Sequence, residues 1–355
     1  SLILGRNELV GTLPSTLINA TKLEVLDLSH TGLTGSLPDF SITASLTSLD
    51  LQWMSLTGTL PITISYLVGL EKLNLMHNKI NGTLNNGILG SLPNLMYLNL
   101  EQNEFEGELP LLVSSSSKLE KIYLSSNRLS GNLTSFIESL VTVDYTPPSS
   151  FFGTTSLATA KSPLKSLWLN SNGITGSIPE SIFHLSGLNQ FHIAGNQISG
   201  TIPTTIGILS NLDYSLDFKN NRLTGTIPLE LSHLTKIEWI DLSQNQLMGE
   251  IPAELGGDVH EPTLKTLILR WNRLEGSVPH FIQHLEYVAI QGNANLTGSL
   301  CPAMGHIEAD CGGSDARNLD CPCCSLCCDA DGNCYKPQTS TTGGATATIV
   351  DTPTP

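Results

Sequence analysis

Along most of this chain, apolar and polar positions alternate over short stretches and then break off, and the break returns about every 24 residues from Ser1 to about Leu300. The window 164–187, LKSLWLNSNGITGSIPESIFHLSG, shows the unit. Leu164, Leu167 and Leu169 face inward while Lys165, Ser166, Trp168, Asn170 and Ser171 face out, the alternation of a short half-buried strand. Asn172 falls where the chain turns off that strand. A buried amide there can satisfy backbone groups of its own and the adjacent repeat, so the Asn column forms a ladder. Gly176 permits a positive φ or a close backbone approach. Ile178 and Pro179 form a second extended piece, and Ile182 and Leu185 add an inward layer from a helical turn. A period of this length means a solenoid, one supersecondary unit stacked on copies of itself, so function is expected on a surface.

With the glycine of each unit as a ruler, thirteen glycines from Gly11 to Gly298 mark about 13 repeats. At a strand spacing of about 4.8 Å their sheet would run on the order of 60 Å. The ladder Asn recurs from Asn7 to Asn293 and is replaced by Thr31, Met54 and Pro147. The clearest breach is the stretch 140–162. Leu140, Val143 and Tyr145 keep a strand pattern, but Pro147-Pro148 stands at the Asn turn and Phe151-Phe152 precedes Gly153. Two readings follow: a degenerate repeat whose Phe pair fills the gap, or a loop that leaves the stack. Slight lengthening at 213–215 and 256–262 reads as tolerated loop insertion.

The consensus LxxLxLxxNxLTGxIPxxL resembles the plant-type extracellular leucine-rich repeat over roughly residues 1–300. The resemblance implies an α/β solenoid with a parallel sheet on a concave face, a second short sheet after the Gly, and 3-10 turns on the other sides. It also implies a secreted or cell-surface recognition module, such as a receptor-like ectodomain.

Composition narrows the partners. Charged residues make up 14% of the chain and the net charge is −15, so a nucleic acid or an anionic membrane surface is not expected as a partner. Four N-glycosylation acceptors, Asn19, Asn81, Asn132 and Asn295, fall on columns the repeat leaves variable, which agrees with secretion. No signal peptide opens the chain and no run of about 18 apolar residues crosses it. Because Leu2, Leu4 and Asn7 are already in repeat register, the N-terminal cap is read as missing.

On the concave face implied by the resemblance, the outward positions carry Trp53, His77, Tyr97, Tyr123, Trp168, His192, Trp239, Trp271 and Tyr287, and Tyr214 where the register is less clear. Tyr97, Tyr123, Trp168, His192, Trp239 and Trp271 are the candidate ligand-binding residues, since exposed Trp and Tyr combine large contact area with a polar handle. Tyr123, Trp168 and His192 share one rung position; Lys121 and Lys165 lie close by, and Asp144, Asp217 and Asp241 extend the column. The alternative is that these rings only stack on neighbouring rungs. No GxSxG elbow, phosphate-binding Gly loop or HExxH motif occurs, so no catalytic residue, metal or cofactor is assigned and an enzyme is not expected.

At Cys301 the chain changes character. All eight cysteines, Cys301, Cys311, Cys321, Cys323, Cys324, Cys327, Cys328 and Cys334, lie in the segment 301–336. In a secreted chain they read as a disulfide-bonded cap of unassignable connectivity, with zinc the weaker alternative. The order ADCGG then DCPCCSLCC resembles the cysteine-rich tails of leucine-rich repeat proteins of diatoms and related algae. Residues 337–355, rich in Thr, Ser and Pro, form a flexible tail. Two function classes remain. One is an extracellular module recognising a protein, peptide or glycan; the other is a structural or adhesive matrix protein that self-associates into fibres or coats.

Overall fold

The computed structural model describes residues 1–40, 45–112, 118–141, 162–257, 263–298, 306–310, 326–328 and 334–335. The chain divides into two compact units, Ser1–Ile198 and Ser199–Pro355. In the first, eight short strands pair in parallel in chain order: Leu2–Ile3, Val25–Asp27, Ser48–Asp50, Lys72–Asn74, Tyr97–Asn99, Lys121–Tyr123, Ser166–Trp168 and Gln190–His192. In the second, Tyr214–Asp217, Ile237–Asp241, Thr266–Ile268 and Tyr287–Ala289 follow the same rule. This is the leucine-rich repeat solenoid the spacing predicts. The middle residue of each three-residue strand, such as Leu73, Leu98, Ile122 and Leu167, is fully buried, and the residues flanking it carry the open face.

Short second sheets form at or just before the repeat Gly and not after it, for example Asn81–Thr83 with Glu104–Glu108 and Arg128–Ser130. The remaining side of each repeat is a helical turn whose type depends on its first residue. After Pro61, Pro179, Pro203, Pro228, Pro252 and Pro279, which supply extended backbone but no side-chain acceptor, the turn is 3-10. Where an Asn caps the turn instead, Asn85 at the Pro position and Asn132 two residues before it, the turn becomes α. Asn85 Oδ1 accepts from Gly87 N at 2.7 Å and opens the helix Asn86–Leu89. Asn132 Oδ1 accepts from Thr134 N at 2.8 Å and opens Leu133–Ser139. A β-carbon on Gly176 (φ +87°) would sit 2.5 Å from that Asn132 oxygen, so glycine is required beside this cap.

The ladder is built as expected. Asn103 Nδ2 donates to Leu75 O of the previous rung at 2.8 Å and to Leu100 O of its own at 3.2 Å, while its Oδ1 accepts from Ile80 N at 3.1 Å. Asn78, Asn196, Asn245 and Asn272 bridge rungs in the same way. Thr31 keeps one of these bonds, Oγ1 to Leu28 O at 2.8 Å, and Met54 occupies the position as a buried apolar side chain.

The stretch 140–162 corrects the repeat count. Ser166–Trp168 pairs directly with Lys121–Tyr123, and Asn172 bridges straight back to Leu124 O at 3.0 Å and Leu129 N at 2.9 Å. Among the described residues there is no rung between them, so the ladder has twelve rungs where the glycines marked thirteen. Leu140 is buried at the end of its helix, not on a strand. Val143, Tyr145, Pro147 and Gly153 lie outside the described residues.

In the second unit, the strands His306–Asp310 and Leu326–Cys328 continue the parallel sheet, and Cys334–Tyr335 returns antiparallel to Leu326–Cys328. Five of the cysteines and the tail lie outside the described residues.

Because Asn103 satisfies two carbonyls on different rungs and one amide, Asn103→Ala should lower stability by about 2–3 kcal/mol, and Thr31→Ala by only about 1 kcal/mol. Urea unfolding followed by circular dichroism compares the two.

Candidate ligand-recognition face

The strands of the first unit carry two outward columns in strict register. One runs Ser48, Lys72, Tyr97, Lys121, Ser166, Gln190; the other runs Asp27, Asp50, Asn74, Asn99, Tyr123, Trp168, His192. In the early rungs the second column has a structural job. Asp27 Oδ1 accepts from Ser29 N at 3.0 Å, Asn74 Oδ1 from Met76 N at 3.3 Å and Asn99 Oδ1 from Glu101 N at 3.0 Å. Each turns the backbone off the strand by an Asx-type bond.

At the next three rungs that acceptor is given up for a ring. Tyr97 and Tyr123 meet edge-to-face with centroids 5.6 Å apart, Tyr123 and Trp168 likewise at 5.0 Å, and Trp168 stacks on His192 at 5.1 Å. The four rings are half-buried and form one continuous run. At His192 the lost bond is replaced from the preceding rung, where Asn170 Oδ1 accepts from Ala194 N at 2.8 Å. Burial holds His192 below the usual imidazole range, so the neutral ring is favoured. Burial also raises the Tyr97 phenol, whose oxygen accepts from Asn99 Nδ2 at 3.2 Å. On the same side, the Trp168 indole Nε1 is buried without a hydrogen-bond partner among the described residues.

Of the six predicted site residues, the fold brings Tyr97, Tyr123, Trp168 and His192 together in the first unit. Trp239 stands on a strand of the second unit between Ser215 and Thr266. Trp271 is a correction: it is not on a strand but on the turn that follows, at φ +59°, with its indole over Gly292, where a β-carbon would come within 2.8 Å of the ring. Trp53 and His77 occupy this turn column too, at φ +54° and +55°. The cause is the ladder, since the residue before each ladder position turns left-handed to present the amide inward, so these side chains leave the strand face. Tyr214, at φ +60°, sits at a register irregularity at the start of its strand.

The turn column holds a second aromatic cluster, of which the sequence reading missed one member. His30 stacks on Trp53 at 5.7 Å, Trp53 on His77 at 3.6 Å, and His77 Nδ1 lies 2.7 Å from Gln102 Oε1. The signal for His30 was its place immediately before the ladder residue Thr31. In the second unit, Tyr287 stacks on His306 at 5.3 Å.

There, Asp217 and Asp241 are register partners in the column that carries the rings of the first unit. Burial, aided by the charge of Asp241 and opposed by Lys219, pushes the Asp217 carboxyl up to about 6 from 3.8. Asp144 lies outside the described residues. No group of three or more His, Cys, Asp or Glu side chains placed to hold a metal occurs among the described residues. Nor is any described helix long and apolar enough to cross a membrane.

The Leucine Rich Repeat family pattern matches residues 22–41, 118–140, 163–185, 214–234, 236–257 and 263–285. No curated protein matches the chain. Among solved structures, the plant peptide hormone receptor RGFR1 in complex with RGF2 is 28% identical, with a TM-score of 0.73 over 90% of this chain and 50% of that one. A TDR receptor is 27% identical, with a TM-score of 0.71 over 90% and 55%. The Arabidopsis receptor kinase HAESA, in complex with the peptide hormone IDA and the co-receptor SERK1, is 30% identical, with a TM-score of 0.70 over 82% and 45%. The chain thus has the leucine-rich repeat architecture of plant receptor ectodomains and spans about half the length of these structures.

A carboxyl whose folded pKa is raised adds stability below its unfolded value and loses it as pH rises through the folded value. Asp217 therefore weighs against the fold above about pH 6. Asp217→Asn keeps the acceptor for Lys219 N and removes the charge. It should stabilise the protein at neutral pH by on the order of 1 kcal/mol and give no gain near pH 3, as read from urea midpoints at both values.

Proposed function

We propose that this chain is the recognition module of an extracellular, receptor-like protein, and that it binds a peptide or protein ligand on the open strand face of its first unit. The observation that carries this reading is the run Tyr97, Tyr123, Trp168, His192. Three neighbouring rungs exchange a fold-stabilising acceptor, worth about 0.5–1.5 kcal/mol, for half-buried rings that the repeat does not require. Such rings are the residue type that anchors interfaces. The likeness to ectodomains solved with peptide hormones supports the same reading.

The glycosylation acceptors support it independently. Asn19, Asn81, Asn132 and Asn295 are all exposed, and each lies on a helical turn, a helix cap or a second-sheet strand, none on the strand face. Glycans there would leave the recognition face open. At Asn132 the cap uses Oδ1 and leaves Nδ2, the atom a glycan takes, outside that bond.

Secreted by a eukaryotic host and treated with a glycosidase that converts glycosylated Asn to Asp, the chain should show that mass change by peptide mass spectrometry at these four positions. For the face itself, Trp168→Ala and Tyr123→Ala should each weaken a ligand captured by the wild-type chain by tenfold or more, with far-UV circular dichroism unchanged. Light scattering that showed particles growing with concentration, together with binding indifferent to both substitutions, would favour the self-associating matrix protein instead.

A further inference from the structure

The cations of this face differ in one respect. Lys72 Nζ is bound to Asp50 Oδ2 at 2.7 Å, and Lys165 Nζ to Glu120 Oε2 at 2.8 Å, each pairing with an acid of the preceding rung. Lys121 stands between them, in register with Tyr97 on one side and Ser166 on the other, and two residues before Tyr123 on its own strand. It is half-buried, and its ammonium has no ion pair or hydrogen bond among the described residues. Asp50 and Glu120 already hold a lysine each, and burial keeps the Glu101 carboxyl toward its neutral form. In a chain of net charge −15, Lys121 therefore sets a positive charge on the rung between Tyr97 and Trp168 with no carboxylate partner among the described residues.

We infer that the ligand of this face is an extended peptide that sets a carboxylate on Lys121 and an apolar side chain against Tyr123 and Trp168. This rests on the recognition reading above and adds the chemistry of the ligand. An ammonium without a partner, on a rung next to aromatic side chains, is stabilised by an incoming anion that brings its own apolar stem. The rings engage one another along the rung direction, with centroids 5.0–5.6 Å apart. Around the lysine, Ser166 and Gln190 are hydrogen-bonded to each other at 3.0 Å, so they form a rigid polar margin and do not compete for the ammonium. The carboxylate has two sources, an Asp or Glu side chain or a peptide C-terminus.

The test is selection of a random peptide library on the purified wild-type chain and, in parallel, on Lys121→Glu and Trp168→Phe. Selected peptides are then synthesised with free and amidated C-termini and with Asp and Glu replaced by Asn and Gln. The expected result is an acidic consensus on the wild type. Its affinity should drop at least tenfold on Lys121→Glu and fall with added salt, while circular dichroism stays unchanged. Loss on amidation assigns the carboxylate to the C-terminus, and loss on amide replacement assigns it to a side chain. Neutral or basic peptides that depend on Trp168 but not on Lys121 would overturn this inference and leave the recognition reading standing. If no selected peptide depends on Trp168 at all, the recognition reading fails with it.

Discussion

The scaffold depends on one side chain per repeat, the Asn amide that closes every rung but those of Thr31 and Met54. Its two donors and one acceptor are matched to backbone groups that the turn leaves buried: the carbonyls of two successive rungs and one amide of the preceding repeat. A buried amide satisfied in this way cannot shift without orphaning several groups at once, so it fixes how each repeat sits on the next. It also fixes what the surface can offer. For the amide to point inward, the residue before it must turn left-handed, and most rungs do so with a non-glycine residue, from Arg6 to Trp271. That requirement separates a turn column, holding His30, Trp53 and Trp271, from the strand columns holding Tyr97, Tyr123 and Trp168.

This separation explains what could be read from residues alone. Leu, Asn, Gly and Pro at fixed spacing sufficed for the solenoid, because each type has few alternatives at its position. The rung count did not follow from the same spacing. Gly153 imitated a ruler mark, but a glycine permits a conformation without compelling one. The four rings of the first unit were legible as a group since they lie on strands, where alternation dictates direction. Trp271 was assigned to the wrong column because sequence distance from a leucine does not reveal where the backbone changes hand. The α character of Asn86–Leu89 and Leu133–Ser139 was visible in principle, as neither repeat has the Pro and each offers an Asn that can cap a helix.

The strand column in line with Asp50 serves two purposes in different rungs. With Asp or Asn it completes the turn and belongs to the fold; with Tyr, Trp or His it does nothing for the turn and belongs to the surface. In the second unit the same column carries Asp217 and Asp241, close enough that their charges oppose one another, so its acids serve the backbone at an electrostatic cost. The rings of the first unit avoid that repulsion, and at His192 the backbone bond is recovered elsewhere.

That recovery bears on whether the rings are decoration. If they were neutral drift on a tolerant surface, the lost acceptor would simply be absent. At His192 it is not: Asn170, one column over and one rung back, delivers its oxygen to Ala194 N at 2.8 Å. Asn170 thus supplies the acceptor that His192 lacks, so the two make physical sense as a pair. The fold here accommodates a ring where a plain Asp or Asn would have sufficed on its own. Stability of the stack does not call for this arrangement, whereas a surface required to hold an aromatic run at fixed spacing does.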